Sequence, residues 1–92
     1  MPFLTPFGRV LRDFRLERCL LLGDMADALG LGAAELSSIE TGKRAIPTDM
    51  IDRLEKLYKL GTRWRWKLNE AFFRTDNSPE AIMRRNQEEA QP

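Results

Sequence analysis

Side chains able to perform covalent or acid–base chemistry are scarce in this chain. It has no histidine, which removes the commonest general base, the commonest metal ligand and the usual partner of a serine or cysteine nucleophile. Asp24 and Asp27 stand three apart on a helical pattern, a spacing of solvated surface charges rather than of an acid–base pair. Cys19 is the single cysteine; it cannot form an internal disulfide and its neighbours offer no metal-ligand spacing. Its expected role is that of a small incidental side chain in a reducing cytoplasm. These residues argue against an enzyme and imply no cofactor and no metal. What remains is the chemistry of contact. Ala33, Ala34, Ser37 and Ser38 offer methyls and hydroxyls at helical spacing, and the cations of Lys43 and Arg44 follow directly.

Bulk charge does not announce a polyanionic partner. The formal net charge is +1, distributed as zero over residues 1–47, +3 over 48–74 and −2 over 75–92. Any contact with nucleic acid must therefore come from local placement of positive groups. Hydrophobic residues make up 42% of the 92 and charged residues 32%, a balance suited to one small core. No apolar run approaches the roughly 20 residues that cross a bilayer, and the opening MPFLTPFGRV lacks the pattern of a signal peptide.

The elements that must position these groups are all helices. Thr5 and Pro6 supply an N-cap and a first helical position, and Phe7, Val10, Leu11 and Phe14 form one apolar face of a helix running to about Glu17 or Arg18. A second helix covers Leu22 to Leu29, burying Leu22, Met25, Ala26 and Leu29, and Gly30 ends it in a left-handed residue. Leu31 is a buried turn residue. Gly32 opens a third helix, Ala33 to about Thr41, with Leu36 and Ile39 inward and Gly42 as its stop. Two helices separated by about three residues around a glycine form a helix-turn-helix. Residues 43–47 are a loop. Thr48 caps a fourth helix with Met50 or Ile51, Leu54, Leu57 and Tyr58 inward, and Gly61 ends it. Thr62 caps a fifth, in which Trp64, Leu68, Ala71 and Phe72 share a face. Ser78-Pro79 starts a polar helical tail that frays before Pro92. The expected fold is all-α, five helices with a helical C-terminal extension, divided at residue 61.

The segment KLGTRWRWKLNEAFF mixes Lys59, Arg63, Arg65 and Lys67 with four aromatics. In one reading Trp64, Leu68 and Phe72 complete the core while Trp66 and Phe73 form a dimer interface, where aromatics are common. In a second the cations flank a phosphate backbone, and in a third the helix lies on a membrane surface. The tail reads either as a solvated helix or as a segment that binds a separate protein.

From Phe7 to Leu60 the chain resembles the phage-repressor/Cro-like helix-turn-helix family, the xenobiotic-response-element family of bacterial regulators. The resemblance rests on GRVLRDFR, DMADALGL and LSSIETGKRAIP, the last similar to the family's L-S-x-x-E-x-G-K-R-x-x-P. It implies a lambda-repressor-like DNA-binding domain. It also implies an ion pair between Arg15 and Glu40, a reading face of Ala33, Ala34, Ser37 and Ser38 with Thr41 beside them, and phosphate contacts from Lys43 and Arg44. Three departures stand out: Leu21-Leu22 replaces the Ser/Thr-Gln that opens the second helix in relatives, Gly32 replaces another common Ser, and Glu35 lies where it faces a polyanion unless it serves its own helix terminus. Alanine methyls meet thymine methyls and serine pairs with several base edges, with less discrimination than a bidentate arginine; pairing two half-sites in a homodimer compensates. The expected function is regulation of transcription, through repression, by binding an inverted-repeat operator. The alternatives are an antitoxin whose 62–92 segment holds a toxin, and a protein-interaction module on the same scaffold.

Overall fold

Thr5 satisfies the start of the helix that follows it. In the computed structural model, which describes residues 4–90, α1 spans Pro6–Glu17 with Thr5 as its N-cap. The Thr5 Oγ1 accepts from the Gly8 amide at 3.1 Å, and the Phe7 amide donates to Thr75 Oγ1 at 2.9 Å. With Pro6 contributing no N–H, the first turn has its orphan donors paired from both its own cap and a residue 68 positions away. Thr75 lies just past the end of α5.

The order is α1, α2 (Leu22–Leu29), α3 (Ala33–Thr41), α4 (Met50–Tyr58), α5 (Gly61–Arg74) and α6 (Pro79–Ala90), with no strand among the described residues. The fold is all-α, and the tail expected from Ser78-Pro79 is the regular helix α6; its fraying before Pro92 lies outside the described residues. Glycines end α2 and α3 in left-handed conformation, as the sequence implies. The α2 helix opens at Leu21 without a side-chain cap, which is the structural cost of the Leu21-Leu22 departure.

One cluster joins Phe7, Leu11 and Phe14 of α1 to Met25, Leu29, Leu36, Ile39, Met50 and Leu54 of α2 to α4, and it continues without a break into Trp64, Leu68 and Ala71 of α5. Phe14 sits at its centre, edge-on to Trp64 at 5.4 Å and to Tyr58 at 5.8 Å. The Trp64 indole N–H donates to Glu17 at 2.8 Å, giving the half-polar ring its partner.

Several boundaries and burials differ from expectation. The α4 helix stops at Tyr58, and Lys59 rather than Gly61 takes the left-handed position, with φ 52°. Leu60 is buried and its amide donates to Glu55, so the chain turns early to put Leu60 into the core. Gly61 then opens α5, and Thr62 is not its cap. At the other end of α4 the cap position is Asp49, one residue past Thr48, with a Pro47-to-Met50 turn closing before it. Leu57 is 45% exposed rather than inward, while Leu22 and Leu31 pack at the margin of the core.

Candidate nucleic-acid interface

The third helix is divided lengthwise by its own sequence. Leu36, Ile39 and Glu40 are buried, and at about 100° per residue they occupy one side of the cylinder. Positions 33, 34, 37, 38 and 41 fall within roughly 140° on the other side. There Ala33 and Ala34 are exposed, and Ser37, Ser38 and Thr41 are half-buried. The Thr41 hydroxyl donates back to the carbonyl of Ser37 at 3.1 Å, which fixes it along the helix.

What holds this helix outward is the pair that the resemblance implied. Arg15 and Glu40 meet bidentately, Nε to Oε2 at 3.1 Å and Nη2 to Oε1 at 3.0 Å, both side chains largely out of water. Burial pushes the Glu40 carboxyl above the ordinary carboxylate range, opposed by the charge and hydrogen bonds of Arg15. A second tie lies in the backbone: the Glu40 carbonyl accepts from the Thr5 amide at 3.1 Å and the Thr5 hydroxyl at 3.2 Å. The two helices touch so closely here that a Cβ on Gly8 would lie 1.9 Å from the Glu40 carbonyl oxygen. Only glycine fits. Neither Gly8 nor Thr75 carries a local signal that marks it, because each acts on a residue distant in sequence.

After α3 the chain folds back along the helix. The amides of Lys43 and Arg44 both donate to the Ser38 carbonyl, at 2.9 and 3.2 Å. Arg44 is exposed and its guanidinium reaches Glu35 at 3.4 Å, while the other Glu35 oxygen accepts from the Gly32 amide at 3.2 Å. The carboxylate thus serves the helix start and neutralises one loop cation. Because Gly32 has no side chain to reciprocate, this is half of a capping box.

On α5, Trp66 and Phe73 are 65% and 85% exposed, and with Thr62 and Asn69 they form one outward stripe at helical spacing. The nearby cations have local partners: Arg65 pairs with Asp52 at 2.7 Å, Lys67 lies 4.9 Å from the Trp64 ring centroid, and Arg74 meets Glu70 at 3.6 Å. No described helix is long and apolar enough to cross a membrane. Among the described residues, no group of three or more His, Cys, Asp or Glu side chains comes together as a metal site.

Two helices set about a glycine turn, the second presenting a solvent-facing stripe, define a helix-turn-helix domain. A profile of the helix-turn-helix domain family matches residues 6–64, and the chain belongs to that family. It is also similar to RghRB of Bacillus subtilis (strain 168), described as an uncharacterized HTH-type transcriptional regulator, with 41% identity over 44 residues. That alignment covers 48% of this chain and 32% of the relative. No solved structure matches the chain.

Proposed function

We propose that the chain binds double-stranded DNA as a homodimer and regulates transcription in the cytoplasm, acting as a repressor by occluding a promoter. The observation that carries this reading is the outward stripe of Ala33, Ala34, Ser37, Ser38 and Thr41, continued by Lys43 and Arg44, on a helix anchored from behind by Arg15 and Glu40. Small side chains let α3 lie deep in a major groove, where methyl contacts, serine hydroxyls and groove shape are read. Lys43 and Arg44 contact phosphates, which sets register and affinity rather than sequence. The groove-facing surface lies within residues 1–61, and the exposed aromatic face of 62–92 serves assembly. The stripe of Trp66 and Phe73 supports self-association, which places two third helices about one helical turn apart on an inverted repeat.

The same exposed aromatics favour a second reading, in which the 62–92 segment holds a different protein, such as the toxin of a toxin–antitoxin pair. Sedimentation separates the two: a dimer that Trp66→Ala dissociates supports self-association, and a monomer at all concentrations supports the partner.

The test of DNA binding is selection of sites from random duplexes by the purified chain, followed by filter-binding titrations of Lys43→Ala and Arg44→Ala. Each variant should bind all duplexes more weakly and reduce the salt slope by about 1. An enriched palindrome supports the homodimer. No enrichment, together with unchanged binding by both variants, refutes this assignment.

A further inference from the structure

The loop that carries Lys43 and Arg44 is fastened on two sides, and the second side is the C-terminal segment. Asn77, in the turn before α6, brackets Ile46: its Oδ1 accepts from the Ile46 amide at 2.8 Å, and its Nδ2 donates to the Ile46 carbonyl at 3.1 Å. Arg85 donates to the Gly42 carbonyl at 3.0 Å and to the Asp76 carbonyl at 2.6 Å. Asn86 donates to the Lys43 carbonyl at 3.1 Å. On its other side the loop is held by the Ser38 carbonyl, which takes the Lys43 and Arg44 amides. Position 42 is also shaped for this arrangement. It has φ +79°, and a Cβ there would come within 2.5 Å of Thr5 Cγ2 and 2.8 Å of Arg85 Cδ.

The α6 helix gives the core little in return. Ala81 is the one buried apolar side chain among its described residues. Its attachment to the rest of the molecule is largely polar, and it converges on the backbone of residues 42–46. A packing role alone would put apolar side chains there.

We propose that Asn77, Arg85 and Asn86 are positioning residues for DNA binding: they hold the 42–46 backbone so that Lys43 and Arg44 meet phosphates without first having to be ordered. This rests on the DNA-binding reading above. A loop fixed in advance does not lose conformational freedom at the moment of contact, whereas in a freed loop that loss outweighs a phosphate contact, which is then not made. The C-terminal helix is then part of the DNA-binding apparatus, and whatever displaces it also loosens the loop.

Asn77 and Asn86 carry no charge, so their removal leaves the net charge unchanged. A change of salt slope in Asn77→Ala or Asn86→Ala therefore reports the placement of the neighbouring cations. With the full chain and a mixed-sequence duplex, the double variant should bind about ten-fold more weakly, the equivalent of one net hydrogen bond. Its salt slope should be smaller by about 1. In the free protein, amide exchange should accelerate at Lys43, Arg44 and Ile46 while Leu11 and Leu54 keep their protection. A merely structural role would lower the melting temperature and the competent fraction and leave the slope alone. Where Asn77→Ala unfolds the chain, Asn86→Ala carries the test, since Asn86 is exposed and touches the loop through one donor. Wild-type affinity and slope in these variants, with Lys43→Ala and Arg44→Ala still weakened, would overturn the positioning role and leave DNA binding standing. Failure of the wild-type chain to bind any duplex overturns both.

Discussion

Gly8→Ala is the substitution in which local and tertiary physics disagree most sharply. Position 8 lies in the first turns of α1, and alanine is the better helix former there by about 1 kcal/mol. Propensity alone therefore predicts stabilisation. The structure predicts the reverse, because the new Cβ would sit 1.9 Å from the Glu40 carbonyl oxygen, 2.6 Å from its carbon and 2.8 Å from its Cα. All three atoms are backbone, so no side chain can swing aside. The helices must separate by more than an ångström, and overpacking of this kind costs about 1–3 kcal/mol. Separation also stretches the two Thr5 bonds to the Glu40 carbonyl, each worth about 1 kcal/mol. Set against the propensity gain, the net loss is about 2–4 kcal/mol, a large share of the 5–15 kcal/mol typical of a domain. Urea unfolding should show a lower midpoint at unchanged slope. A Gly8→Ala protein as stable as wild type would refute the close approach of α1 to the end of α3, and with it the account of how α3 is held.

Arg15→Met strands the Glu40 carboxylate and should cost about 3–5 kcal/mol. Because burial holds that carboxyl above its ordinary range, the folded state keeps the proton more tightly than the unfolded one, and this group's contribution falls as pH rises through that window. Losing Arg15 deepens the fall, so the deficit measured by urea unfolding should grow from acid to neutral pH; a deficit constant with pH would count against it. Glu35→Gln keeps an acceptor for the Gly32 amide but releases Arg44 and removes a negative charge beside the duplex. It should tighten filter-bound duplex about five-fold at low salt, and unchanged affinity would place Arg44 away from phosphate. Lys59→Gly relieves a left-handed residue at the end of α4 and should add about 0.5–1 kcal/mol, read as a rise of a few degrees in thermal midpoint; a lower midpoint would contradict the strain.

Helices one to three were legible because their signals are local. Thr5-Pro6 opens α1, glycines 30 and 42 close the next two helices, and the apolar spacing picks out Phe7, Leu11, Phe14, Leu36 and Ile39 as core. The pairing of Arg15 with Glu40 came from the resemblance, since nothing in the spacing of those two residues joins them. The sequence puts the border between α4 and α5 at Gly61 because a glycine stop is a local rule, whereas burial of Leu60 is a tertiary demand that places the stop at Lys59. Leu57 fits the α4 stripe by spacing, but at about 100° per residue it falls on the flank of the face that Ile51 and Leu54 bury, and it is left exposed. Gly8, Thr75 and Asn77 were invisible for one reason: each meets its partner across more than 30 residues of chain.

The contrast between Trp64 and Trp66 gives the molecule two built-in optical reporters. Trp64 is 8% exposed, with its N–H bonded to Glu17, whereas Trp66 is 65% exposed. Emission from the first should be blue-shifted and shielded from iodide, following the docking of α5 on α1. Emission from the second should be red-shifted and readily quenched until another surface covers it. One spectrum thus separates folding from assembly without any label.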